Sequence, residues 1–257
     1  MNHSIKVVSL VMLVCSSLAF AGCTTAISST PVGMSGAAPS LTGTYVTYAT
    51  GEHSLRGRLC KPEGAGPFPA VVYNHGGVQD KIGGAPDETC SALAKAGFVG
   101  FSPIRRPMRS FIAQAQDVET AIGYVAALPY VDSARLGLIG FSSGGTVTYL
   151  VAAHRKGLKA VVIMATAGAE SHMDIDPSGI TAPVLVLVAK NDIGSKLTFG
   201  NNTVTSSEAL VAKLKQAGCD VTYIAYPPYQ PDGHLMFFQI GAYWTDVVDF
   251  LKKHLSP

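Results

Sequence analysis

The sequence predicts an α/β domain built on a mostly parallel sheet with helices on both faces. Three observations lead there. Short apolar runs rich in valine, isoleucine and leucine alternate with segments of helical periodicity from about residue 70 to the C-terminus. Glycine is abundant, 27 of 257 residues, as a fold with many tight strand-to-helix turns requires. Charged residues are only 14% of the chain while apolar residues are 47%, enough for one full core but cramped for two domains.

The elements follow in order. Residues 44–49 (TYVTYA) and 54–60 (SLRGRLC) are β-rich runs around Gly51 and read as an antiparallel opening hairpin. Residues 70–74 (AVVYN) form a short apolar run suited to a buried strand. A helix over 88–95 ends at Gly97, and 98–102 is the next strand. Residues 111–128 carry Ile112, Val118, Ile122 and Val125 at helical spacing. The strand 135–139 (RLGLI) leads into a helix over 145–156, followed by strands 158–165 and 183–189. A helix over 207–216 closes at Gly218, residues 220–226 make the last strand, and 240–254 the last helix. The gap 166–182 has room for a small helix or loop but not for a large lid.

Between strand 135–139 and its helix stands Gly140-Phe141-Ser142-Ser143-Gly144-Gly145. A serine in G-x-S-x-G between a strand and a helix is held on a sharp, strained turn. Side chains at Gly140 or Gly144 would collide across that turn. The free amides and dipole of the following helix favour negative charge beside Ser142. On these residues the chain resembles the α/β-hydrolase superfamily, from about residue 44 to the end, and most of all the small dienelactone-hydrolase-like esterases, related to the C-terminal domains of prolyl-oligopeptidase-type peptidases. Dienelactone hydrolases usually carry cysteine as nucleophile, so serine implies ordinary ester chemistry.

A serine hydroxyl needs a histidine to take its proton, and the histidine needs a carboxylate to fix its tautomer. The family order is serine, acid, histidine. Asp192 lies just beyond strand 183–189, where the family places its acid; Asp174 and Asp176 precede that strand and Asp232 is too near the histidine. His234, in PDGHLMF between the last strand and last helix, matches the family's histidine loop. His53 and His154 read as surface or helix residues, His172 precedes the acid, and His254 is terminal. Asn74-His75-Gly76-Gly77-Val78 resembles the family's oxyanion loop, which implies amide donors from Ser143 and from Gly77 or Val78, with His75 structural. Arg105 and Arg106, in the loop after strand 98–102, are candidates to meet an acidic group of a substrate, or else are solvated. Tyr226, Pro227, Pro228 and Tyr229 are candidates for an apolar wall near His234, or for core packing.

The N-terminus reads as an export signal. One lysine precedes the apolar stretch 7–20, which is shorter than the ~20 residues of a membrane span. Ala21-Gly22-Cys23 then resembles a bacterial lipobox, with Phe20 where leucine is usual; the alternative is an ordinary signal peptide cut nearby. Residues 1–22 are thus expected to be the signal, 23–40 a flexible tether reaching about 20–25 Å, and 41–257 the hydrolase domain. Lipidation at Cys23 would anchor the chain without crossing the bilayer, and Thr24 after it leans towards the outer membrane. Export makes a Cys60–Cys90 bridge possible; three free thiols, with Cys219, are the other reading.

Together these features predict an exported serine hydrolase, in the periplasm or at the outer membrane. It would cleave carboxylic esters, of short acyl chain given so little lid, through an acyl-enzyme on Ser142. A small peptidase of the prolyl-oligopeptidase-like group and a non-catalytic binding lipoprotein are the rival readings. The pattern calls for no cofactor and no metal: H-E-x-x-H, C-x-x-C and a dinucleotide fingerprint are all absent. A net charge of +2 without a basic run argues against nucleic acid as a partner. The sequence leaves the oligomeric state open.

Overall fold

The computed structural model describes residues 43–256 except 51–53, 78–80, 108–109 and 168–174. The signal segment, the tether, Cys23 and Val78 lie outside the described residues. Eight strands form one sheet: β1 Thr44–Ala49, β2 Leu55–Cys60, β3 Phe68–Asn74, β4 Val99–Ile104, β5 Val131–Phe141, β6 Leu158–Met164, β7 Val184–Ala189 and β8 Val221–Tyr226, in the order β1-β2-β4-β3-β5-β6-β7-β8. β2 pairs antiparallel with both β1 and β4. From β4 to β8 all pairs are parallel, as continuous apolar runs joined by helical crossovers require.

The helices are α1 Pro86–Lys95, α2 Phe111–Ala126, α3 Ser143–His154, α4 Thr203–Gln216 and α5 Tyr243–Leu255. Strand alternation divides the core. Ala70 and Val72 of β3 face α2, α3 and α4, where Val118, Ile122, Val147, Val151, Leu210 and Leu214 pack. Val71 and Tyr73 face the other side, where Leu93 of α1 and Val247, Leu251 and Leu255 of α5 pack. Each fully buried side chain of this size contributes about 1.5–3 kcal/mol.

Several boundaries differ from expectation. β5 starts at Val131 rather than 135 because its first residues, Asp132 to Arg135, are not fully buried and carry no apolar signal. α3 starts at Ser143 rather than 145, behind two glycines that are poor helix formers. α4 starts at Thr203, where the Asn202 side chain accepts from the Thr205 amide. α1 starts two residues early, at Pro86, a residue suited to the first helical turn. Cys60 and Cys90 form a disulfide tying β2 to α1, and Cys219 is free.

The strand order reverses between β3 and β5. β4 is added on one side and β6 on the other, so the loops leaving β3 and β5 part and open a crevice at the carboxyl edge of the sheet.

Candidate active site

Ser142 stands in that crevice, between β5 and α3. Its backbone is at φ 55°, ψ −122°, a strained conformation for a residue with a side chain. The turn persists because its neighbours demand it. The Ser142 amide donates to Met164 O at 2.9 Å, and Ser142 O accepts from Gly145 N at 2.9 Å. A Cβ on Gly140 would lie 2.2 Å from Gly144 O, and one on Gly144 would lie 2.1 Å from Asn74 O. Only glycine lets β5, α3 and the loop after β3 approach this closely.

Asp192 follows β7, and its carbonyl accepts from the Thr203 amide at 3.0 Å and the Val204 amide at 3.3 Å, fastening it to the start of α4. His234 opens a 3-10 turn, Gly233–Phe238, whose first amide bond runs from His234 N to Asp232 Oδ1 at 2.9 Å. Asp232 therefore caps the histidine's turn. Asn191 ties the preceding loop down through bonds of 2.8 Å to both the amide and the carbonyl of Tyr229.

The three side chains meet. His234 Nε2 is 3.1 Å from Ser142 Oγ, and His234 Nδ1 is 2.7 Å from Asp192 Oδ2. All three residues are buried. Phe141 packs against the imidazole with ring centroids 4.7 Å apart, and Phe238 stands 6.1 Å away nearly edge-on. Such an arrangement lets the imidazole take a proton from the serine hydroxyl while the carboxylate holds the other ring nitrogen protonated.

Ser143 is the first residue of α3, so its amide is one of the free N–H groups of a helix N-terminus. The Ser143 hydroxyl donates to Gly77 O at 2.6 Å, which holds the loop after β3 beside the nucleophile. Gly77 is at φ +93°, and a Cβ there would lie 2.1 Å from Lys81 O. Gly76 and Gly83 exchange two backbone bonds of 2.9 Å, closing this loop on itself.

Arg105 and Arg106 are placed elsewhere. Arg105 is 4% exposed and its Nη2 donates to His75 O at 2.6 Å, with Nε to Gln114 Oε1 at 3.3 Å. Arg106 pairs with the buried carboxylate of Asp117, which accepts its amide at 2.9 Å and its Nε at 2.7 Å. Neither lines the crevice, and neither is simply solvated: α2 supplies the Gln114 amide to Arg105, which reaches the loop after β3 at His75 O, and the Asp117 carboxylate to Arg106. His75 is buried too; desolvation and the nearby Arg105 push its pKa down to about 3, so it is neutral. Its Nδ1 is 2.7 Å from Gly76 O. Tyr226 and Tyr229 form no wall of the site. The Tyr226 hydroxyl is bound to Asp246, and the Tyr229 hydroxyl accepts from Gln239 at 2.7 Å.

The cavity over Ser142 holds about 440 Å³. Its apolar lining comes from Phe141 and Phe238 at the triad, Ile82 and Phe111 on one part of the wall, and Leu197 and Phe199 from the loop after Asp192. Sequence reasoning missed this loop, residues 193–201; of the gap 166–182, where it looked for a cover, Ala167 lines the cavity and 168–174 lie outside the described residues. The missed loop's one available signal was three large apolar side chains, Ile193, Leu197 and Phe199, inside a stretch with two glycines, IGSKLTFGN.

Residues 108–228 match the family model described as "Dienelactone hydrolase family". The chain has the α/β-hydrolase fold. The chain is 27% identical over 230 residues to a Methylorubrum extorquens protein provisionally named a carboxymethylenebutenolidase, with 75% of each chain covered. Its fold is similar to the crystal structure of dienelactone hydrolase from Anabaena variabilis: TM-score 0.63, 18% identity, 83% of this chain and 98% of that one. It is similar also to Thermogutta terrifontis esterase 2 phosphorylated by paraoxon: TM-score 0.64, 16% identity, 84% of this chain and 96% of the esterase.

Proposed function

We propose that this hydrolase cleaves carboxylic esters through an acyl-enzyme on Ser142. The observation that carries the reading is the continuous pair of contacts from Ser142 Oγ to His234 Nε2 and from His234 Nδ1 to Asp192, at the floor of an apolar cavity. Ser142 Oγ attacks the ester carbonyl and passes its proton to His234 Nε2, while Nδ1–H donates to Asp192. The developing oxyanion lies against the amides of Ser143 and Gly77, each worth about 3–4 kcal/mol in the transition state. His234 returns the proton to the leaving alcohol. It then activates a water, which attacks the acyl carbon and frees the acid and Ser142.

Treatment with a fluorophosphonate followed by peptide mapping tests this reading. One adduct on Ser142, lost in His234→Ala, together with hydrolysis of p-nitrophenyl acetate, is the expected result. An unlabelled Ser142 in folded protein would overturn it and favour a binding role.

We propose also that the protein is exported and anchored through a lipid on Cys23. The lipobox-like sequence supports this, and so does the Cys60–Cys90 disulfide, a bond suited to an oxidising compartment. Metabolic labelling with palmitate in a bacterial host should mark the protein and should fail in Cys23→Ser.

A further inference from the structure

Among the described residues, three other than glycine hold a positive φ: Ser142, Ala165 and Phe199. Ser142 is the nucleophile, and Ala165 follows β6, its amide bound to Leu187 O at 2.7 Å inside the sheet edge. Phe199 has no such packing reason. It is at φ 53°, a conformation costing about 1–2 kcal/mol for a residue with a Cβ, and yet it is 67% exposed. Strain without burial stabilises nothing in the fold.

The loop that holds Phe199 in this posture is firmly built. Ser195 N donates to Thr198 Oγ1 at 2.9 Å, Leu197 N to Ser195 Oγ at 3.1 Å, Gly200 N to Ser195 O at 2.8 Å and Asn201 Nδ2 to Thr198 O at 2.6 Å. Thr198 is buried, while its neighbours Leu197 and Phe199 are turned outward, 45% and 67% exposed. Both line the cavity over Ser142, and Ile82, also largely exposed, lines it too. Phe199 borders a second, shallower groove beside Ile193, another exposed apolar side chain. Apolar side chains thus continue from the cavity over Ser142, lined by Phe238, Leu197 and Phe199, into the adjoining groove, lined by Phe199 and Ile193.

We propose that the loop 193–201 is a preformed apolar platform that grips an extended hydrocarbon part, alkyl or aryl, of the ester, and that Leu197 and Phe199 set the enzyme's preference for chain length. The preferred substrate is then an ester with an apolar tail beyond the first few carbons, not a minimal acetate. The loop begins next to Asp192 and ends at the cap of α4, so the platform is held in fixed register with the triad. The platform has this role only if the chain is the ester hydrolase proposed above.

The test measures kcat/KM on two series of esters. One lengthens the acyl group, p-nitrophenyl acetate, butyrate and hexanoate; the other lengthens the alcohol, methyl, butyl and hexyl acetate. The native protein should favour the longer member in one series. In Leu197→Ala and Phe199→Ala the ratio of longest to shortest should fall about 5–20-fold in that series, an isopropyl or phenyl group lost from an apolar site. Phe199→Gly separates this from a folding defect: glycine adopts φ 53° freely, so that variant should melt at or above the native temperature and still lose the preference. Ratios within about twofold of native in both series for all three variants would overturn the platform while the ester-hydrolase reading stands. A native protein that hydrolyses no ester and leaves Ser142 unlabelled would overturn both.

Discussion

In the proposed reaction Ser142 would owe its reactivity to neighbours a few ångströms away, and single substitutions should separate their contributions. Ser142→Ala should abolish turnover. Asp192→Asn should keep the fold but lower kcat by about 10⁴, because the amide leaves the imidazole in the wrong tautomer. Arg105 acts at one remove. Its Nη2 contact with His75 O fixes the loop that ends in Gly77, so Arg105→Met should lower kcat more than it changes KM, with Arg105→Lys intermediate. The buried charge-assisted bond lost is worth about 1.5–3 kcal/mol of stability, readable as a lower urea midpoint. His75 makes a prediction about acid. Its folded pKa of about 3 lies below the ordinary histidine value of 6.5, so the unfolded chain binds the extra proton between these pH values. Its contribution to stability is complete above about pH 6.5 and is lost as pH falls towards 3. His75→Gln should therefore flatten the decline of the melting temperature across that window.

Among the elements, α4 does two tasks. It packs Leu210 and Leu214 on the sheet, and its first turn receives the Asp192 carbonyl. Replacing its cap, Asn202→Ala, should cost about 1 kcal/mol and disturb the acid's loop, so a reduced melting temperature should come with reduced kcat. That cap was not read from the sequence, because Thr203, Ser206 and Ser207 are polar although buried and hide the start of the helix. Strands β3, β6 and β7 could be read closely because nearly every residue is apolar and buried, Asn74 at the end of β3 and the exposed Lys159 of β6 being the polar ones. The triad could be read because each member lies between a strand and the helix that follows it, in the order serine, acid, histidine. The pairing of Arg106 with Asp117 could not, since it depends on how β4 and α2 dock and not on any local pattern. The same holds for the loop 193–201, whose apolar residues follow no period and whose shape comes from its own hydroxyl and amide bonds.

At the scale of the whole molecule, the antiparallel edge of the sheet is stapled and the parallel part is not. The Cys60–Cys90 bridge closes a span of 30 residues, β3 included, and loop-closure entropy assigns it about 3–4 kcal/mol. Reduction with dithiothreitol should lower the melting temperature by several degrees, and Cys60→Ser with Cys90→Ser should match it. Ser142, Asp192 and His234 follow β5, β7 and β8, outside the bridged span, while the Gly77 loop lies within it, so reduction should lower kcat without abolishing turnover at moderate temperature.

The two ends of the loop 193–201 nearly touch: a Cβ on Gly194 would lie 2.9 Å from Gly200 O. The chain leaves the domain at one point and returns to it at almost the same point. Such a segment is a cassette. It can be lengthened, shortened or exchanged between Gly194 and Gly200 with little strain passed to Asp192 on one side or α4 on the other. New substrate ranges would then be open to evolution, or to a library of grafted loops, without rebuilding the machinery that breaks the bond.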